Sequence, residues 1–227
     1  MKKIGNFWVP DIDAREGGNL EKTRAAYDGN DGIQVKNLHD AMRIIDKFEV
    51  AIDGGANVGS WSKALAEKFK MVYSFEPNPE TFECLSRNVS EWGIGSRVSL
   101  FPNALSDRDE LVSMTSPGKE RRSVTSSITG PGDIPAIPID KLDLKDCSFI
   151  KLDLEGYEAQ ALEGARNTIH QFRPWIMIEN KPAKMGIFRM KSKAEKILEK
   201  WGYQLVEKFG AKEIDWLYGY GDNPRNS

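Results

Sequence analysis

The chain has 227 residues, 40% of them hydrophobic, which suits one domain with a sizeable core. A formal net charge of −2 gives no strong field to draw nucleic acid, and no run reaches the roughly 18 apolar residues of a membrane span. Cys84 and Cys147 form no disulfide framework or metal-ligand spacing, and the basic start Met1-Lys2-Lys3 leads into no apolar signal segment.

These features predict a reduced, cytoplasmic protein with no nucleic-acid, membrane or metal partner. His39 and His170 are isolated from each other and from the cysteines, which fits the absence of a metal site.

Residues 1 to 46 are the least regular. Phe7-Trp8-Val9-Pro10 and Tyr27 are apolar anchors among Asp, Gly and Asn, and Leu38, Ala41, Met42 and Ile45 share one helical face. This segment reads either as a cover over the open end of a sheet or as an arm that only packs. From about residue 47 a strand–helix rhythm begins. Val50 to Ile52 is a first strand, and Val58, Trp61, Leu65 and Phe69 mark one face of the helix after it. Met71 to Phe75 is a second strand ending at Glu76-Pro77. A helix starting near Pro79 carries Phe82, Leu85, Val89 and Trp92. Val98 to Phe101 is a third strand, ending at Pro102-Asn103-Ala104.

Leu111 to Met114 reads as a short strand and Thr115 to Ala136 as a long Ser/Thr/Gly/Pro-rich loop. Within it, Lys119, Arg121 and Arg122 form a small basic cluster that reads as a solvated loop or as a phosphate holder. Phe149 to Leu152 is a strand ending at Asp153-Leu154-Glu155-Gly156, followed by a helix with Ala161, Leu162, Ala165 and Ile169 inward. Trp175 to Ile178 is a strand ending at Glu179-Asn180. A helix near 191–201 follows, then the runs Tyr203 to Phe209 and Glu213 to Tyr220, too close for a crossover and so antiparallel. The predicted organisation is an N-terminal cover at 1–46, an α/β domain at 47–220 and a polar tail at 221–227. The fold is a doubly wound, mostly parallel sheet with an antiparallel edge strand.

The chemistry concentrates at strand ends. A dinucleotide fingerprint places glycine at its first, third and sixth positions; here these are Gly54, Ala56 and Gly59. The missing glycine is the one that admits a pyrophosphate, so the turn Asp53-Gly54-Gly55-Ala56-Asn57-Val58-Gly59 favours S-adenosyl-L-methionine over NAD. In that reading the helix N-terminus holds the cofactor carboxylate and Asp53 accepts from its ammonium, directly or through water. Glu76, about 20 residues on, suits two ribose hydroxyls, with Pro77 beside it, and Asn103-Ala104 lies where an adenine would sit. Asp153, also toward the methionine arm, Glu155 and Glu179 are candidate general bases for an alcohol acceptor, since methyl transfer to a hydroxyl must also remove its proton. Glu158 reads as a first-turn helix residue.

These motifs resemble the FkbM-type family of S-adenosylmethionine-dependent methyltransferases. The resemblance rests on Asp53 to Gly59, Phe75-Glu76-Pro77, Asn103-Ala104-Leu105-Ser106-Asp107, Ile150 to Glu158 and Leu162-Glu163-Gly164-Ala165. It implies a Rossmann-like class I methyltransferase fold and methylation of a hydroxyl on a sugar, glycan or other small metabolite. The competing readings are an N-methyltransferase, an NAD(P)-dependent oxidoreductase and a non-catalytic cofactor-binding module.

Overall fold

A computed structural model of the protein describes residues 1–11, 13, 33–114, 128–180, 184–185, 188–210 and 213–221. The predicted basic cluster at 119–122 and tail residues 222–227 lie outside the described residues. The elements are β1 (Lys2–Ile4), β2 (Phe7–Val9), α1 (Ile33–Met42), β3 (Val50–Gly54), α2 (Ser60–Lys68), β4 (Met71–Phe75), α3 (Pro79–Glu91), β5 (Val98–Phe101), β6 (Ala104–Leu105), β7 (Glu110–Met114), β8 (Ile128–Pro131) and β9 (Ile134–Ile137). They continue with β10 (Phe149–Leu152), α4 (Glu158–Glu163), α5 (Arg166–Phe172), β11 (Trp175–Glu179), β12 (Lys184–Met185), β13 (Phe188–Arg189), α6 (Lys193–Lys200), β14 (Tyr203–Phe209) and β15 (Asp215–Tyr220).

The main sheet runs in the order β14-β15-β11-β10-β3-β4-β5. β3 pairs in parallel with β4 on one side and β10 on the other. The chain steps outward from β3 to β5, then returns to β10 and steps the other way. The order therefore reverses between β3 and β10, the place where an open α/β sheet leaves a crevice at its carboxyl end. The predicted closing pair is present. β15 is antiparallel to both β11 and β14, so within that terminal hairpin the antiparallel strand lies one place in from the edge.

The strands are apolar because both faces are covered. Ala51, Val72, Phe149, Met177 and Leu217 pack on one face with Leu38, Leu65, Phe69 and Leu85 from the helices. The alternate residues Ile52, Ile150, Leu152, Ile176 and Ile178 pack on the other with Ala161, Leu162, Ile169 and Leu198. α3 starts as its sequence predicts: Pro79 follows Asn78, whose side chain accepts from the amides of Glu80 and Thr81.

Two parts differ from expectation. The stretch read as loop to Ala136 contains β8 and β9, which join β6 and β7 in a four-stranded second sheet. Gly130, Pro131 and Pro135 disguised these strands; β7 supplies the pairing that local propensity does not. At the N-terminus, β1 and β2 form a hairpin strapped to α3. Asn88 accepts from Trp8 N at 2.6 Å and donates to Trp8 O and Val58 O, both at 2.9 Å. No described residue between 1 and 46 lines the cleft discussed next.

Candidate active site

A cleft of about 970 Å³, open to solvent, lies over the carboxyl ends of β3, β4 and β10. Its walls include Gly55, Ala56, Asn57, Glu76, Pro77, Asn103, Ala104, Asp153 and Glu155 from the predicted set. Asp53, Gly54, Gly59 and Glu179 do not line it. The glycines outside the wall have packing roles. A Cβ on Gly59 would meet Leu85 of α3 at 2.7 Å, and one on Gly54 would meet Leu105 at 2.9 Å. Gly55 has φ +73° and a Cβ there would sit 2.1 Å from the carbonyl oxygen of Asp153, so the β3 turn and the β10 turn touch backbone to backbone.

Glu76 is 7% exposed. Its Oε2 accepts from Asn57 N and its Oε1 from Asn78 N, both at 2.9 Å. Burial pushes its pKa up to about 7, against the downward pull of those two amides. A carboxylate offers roughly four lone-pair sites, so each oxygen keeps capacity for one more donor, such as one of two vicinal hydroxyls. Beside it, Phe75, Pro77, Ala104, Leu105, Met114 and Ile128 give apolar walls. Met114 and Ile128 come from β7 and β8, strands whose contribution to the site was not predicted.

Asp53, expected to meet a ligand ammonium directly or through water, lies behind the cleft wall. It is fully buried; its Oδ2 accepts from Ser62 Oγ at 2.7 Å, and Ser62 Oγ in turn accepts from Ser74 Oγ at 2.9 Å. Its Oδ1 lies 3.2 Å from Lys151 Nζ. Lys151 is the residue sequence reasoning missed. It lines the cleft, is 5% exposed, donates to Gly55 O at 2.8 Å and stands 5.5 Å from the Trp61 ring centroid. Burial alone would lower its pKa, but the carboxylates of Asp53, Asp153 and Asp215 outweigh that and hold the ammonium above the usual lysine range. The signal was available: a lysine inside the strand run Phe149-Ile150-Lys151-Leu152 is a buried charge that needs a partner.

Asp153, Glu155 and Glu179, all half-buried, bring carboxylate oxygens within 4.8 Å of one another. The sequence expectation held no metal; this spacing is close enough for the three to share a cation. Glu155 has φ +51°, a conformation that costs a residue with a Cβ about 1–2 kcal/mol. Glu158 does more than start α4. Its Oε1 accepts from Leu154 N at 2.9 Å and Gly156 N at 3.2 Å, so it shapes the turn that carries Glu155. Burial raises the Glu158 pKa against those amides.

The sheet order, the glycine turn and the strand-end carboxylates define a Rossmann-like α/β protein of the class I methyltransferase type. The chain belongs to the FkbM methyltransferase family: the Methyltransferase FkbM domain matches residues 53–205. It is similar to the hexuronic acid methyltransferase AglP of Haloferax volcanii, 28% identical over 153 residues that cover 64% of this chain and 63% of that protein. The fold matches the crystal structure of a methyltransferase FkbM from Methylobacillus flagellatus KT with TM-score 0.57 and 18% identity, over 92% of this chain and 57% of that one. It also matches precorrin 8w decarboxylase from Methanobacterium thermoautotrophicum with TM-score 0.51 and 16% identity, over 96% and 99% of the two chains. The chain thus spans less than two thirds of AglP and of the FkbM structure.

Proposed function

We propose that the protein is an S-adenosyl-L-methionine-dependent O-methyltransferase acting on a hydroxyl of a sugar, glycan or other small metabolite. One observation carries this reading: a single cleft joins the amide-pinned carboxylate of Glu76 at one end to the Asp153 and Glu155 carboxylates at the other. The residues present fit the donor. Glu76 would accept both ribose hydroxyls, and Asn103 would face the edge of a base held between Phe75, Pro77, Leu105, Met114 and Ile128. When bound, the donor supplies an electrophilic methyl carbon on a cationic sulfur.

Residues of this chain do the rest. The turn and strand ends hold the reactants in line, which is a large part of the rate. A carboxylate among Asp153, Glu155 and Glu179 accepts the acceptor's hydroxyl proton. Glu155 is the first choice, because it lines the cleft and sits on a strained residue whose turn is held by Glu158. Hexuronic acid, named for the relative, is a sugar acid, which supports a sugar as the acceptor.

An NAD-dependent reaction fits less well. Ala56 stands where a pyrophosphate-binding turn has glycine, and the Ala56 amide is taken by Phe75 O at 2.9 Å. Calorimetry with S-adenosylhomocysteine and with NAD tests the donor: binding of NAD alone would overturn the reading. Transfer of labelled methyl to a panel of neutral sugars, uronic acids and amino sugars then tests the acceptor. Product carrying N-methyl groups only would replace O- by N-methylation.

A further inference from the structure

The glycine turn offers little to an anion. Gly55 N and Ala56 N donate to Phe75 O at 3.0 and 2.9 Å, and Gly59 N to Ala56 O at 2.9 Å. Asn57 N is taken by Glu76 and Val58 N by the Asn57 side chain at 2.7 Å. Five consecutive amides are therefore used within the protein. A ligand carboxylate there meets the first-turn amides of α2, beginning at Ser60, and gains from a charged partner beside them.

Lys151 is the only lysine or arginine among the described residues that line the cleft. An ammonium has three protons. One goes to Gly55 O and one faces Asp53, which leaves the third without an acceptor among the described residues. The ammonium is held from several sides: by the β3 turn through Gly55, by Asp53, and through Asp53 by Ser62 of α2. Its strand leads directly to Asp153, which also lines the cleft. The wall thus presents one fixed cation and, two residues on, a carboxylate. That is the charge pattern of a free α-amino acid read in reverse.

We propose that Lys151 holds the carboxylate of the methyl donor's amino-acid end, with Asp153 taking its ammonium. The proposal rests on the donor reading above. It assigns the buried Lys151–Asp53 pair two tasks: Asp53 keeps Lys151 charged and in place, and Lys151 carries the charge to the cleft.

Calorimetry with three ligands tests it: S-adenosylhomocysteine, its decarboxylated aminopropyl analogue, and 5′-methylthioadenosine, which lacks the whole amino-acid end. The wild-type protein should prefer S-adenosylhomocysteine to the decarboxylated analogue by roughly tenfold or more, the effect of a hydrogen bond to a charged group. Removing both buried charges together, Asp53→Asn with Lys151→Met, leaves no orphan carboxylate. This double variant should lose that preference while binding 5′-methylthioadenosine within about threefold of wild type. A retained preference, or equal weakening of all three ligands, would overturn the role of Lys151.

If the double variant does not fold, the ¹⁵N shift of the Lys151 ammonium in the intact protein decides. It should move with S-adenosylhomocysteine and stay put with the decarboxylated analogue; the same shift with both overturns the proposal. Wild-type protein that binds none of the three overturns the donor reading itself, and this inference with it. Wild-type protein that binds the decarboxylated analogue as tightly as S-adenosylhomocysteine overturns only the part played by Lys151.

Discussion

Glu76 shows how one buried carboxylate links stability, pH and binding. Its folded pKa is raised from 4.5 to about 7, with burial the leading cause. The folded protein therefore keeps a proton that the unfolded chain gives up between those values. Its stabilising contribution is present below about pH 4.5 and is lost as pH rises through 7, a swing of about 3 kcal/mol at most. Two ribose hydroxyls would favour the charged form and pull the pKa back down. Adenosyl binding at pH 6.5 is therefore expected to release a proton, and affinity should rise toward pH 8. Calorimetry in two buffers of different ionisation enthalpy measures that proton. No release in wild type, or the same release in Glu76→Gln, would place the ribose elsewhere. At the base, Glu155→Gln is expected to cut turnover by about 10²–10⁴-fold while leaving S-adenosylhomocysteine affinity within about threefold. Full activity in that variant would pass the proton to Asp153 or Glu179. Glu76 was legible in sequence because spacing from the glycine turn places it at the next strand end. The surroundings of Asp53 were not, since they depend on Ser62 and Lys151 reaching across from α2 and β10.

Among elements, contacts between motifs explain more than the motifs do alone. Gly164, in the helix pair after β10, has φ −74°, so any residue could adopt its backbone. A Cβ there, however, would sit 1.9 Å from the carbonyl oxygen of Ser106. Two family segments, Asn103 to Asp107 and Leu162 to Ala165, are thus tied by backbone contact. Gly164→Ala should destabilise the fold by about 1–3 kcal/mol through overpacking alone. Gly55→Ala adds left-handed strain to its clash with Asp153 O and should cost about 2–5 kcal/mol. Urea unfolding of both variants gives the comparison, and a milder loss at Gly55 than at Gly164 would contradict the assignment. The hairpin strap has its own test. Asn88→Ala removes three hydrogen bonds and leaves Val58 O unpaired, so a loss of about 2–3 kcal/mol is expected, with Trp8 fluorescence becoming more quenchable. The βα rhythm was readable because both sheet faces are buried and apolar runs alternate with amphipathic helices. β8 and β9 were not, because their pairing with β7 is nonlocal and their own residues include Gly130, Pro131 and Pro135.

Among the described residues the two larger sheets meet at one cleft. The seven-stranded sheet supplies Gly55, Glu76 and Lys151 or the turns beside them, and the four-stranded sheet supplies Ala104, Leu105, Met114 and Ile128. Among the described residues β6 and β8 are the edge strands of this sheet, each paired on one side where β3 and β10 are paired on two. A ligand spanning both walls would add contacts that unfolding must break. At 100 times its Kd it contributes about 2.7 kcal/mol to global stability. Locally, opening of β7 and β8 would require releasing the adenine side of the ligand. Hydrogen exchange at Val112, Met114 and Ile128 should therefore slow on adding S-adenosylhomocysteine, and slow equally with 5′-methylthioadenosine, which keeps the base and ribose. Exchange at Ala51 and Ile150 in the central strands already reports near-global opening and should follow only the global term. If β7 and β8 gain no protection beyond that term, the second sheet is a neighbour of the donor site and not a wall of it. The acceptor would then be the ligand that Met114 and Ile128 meet.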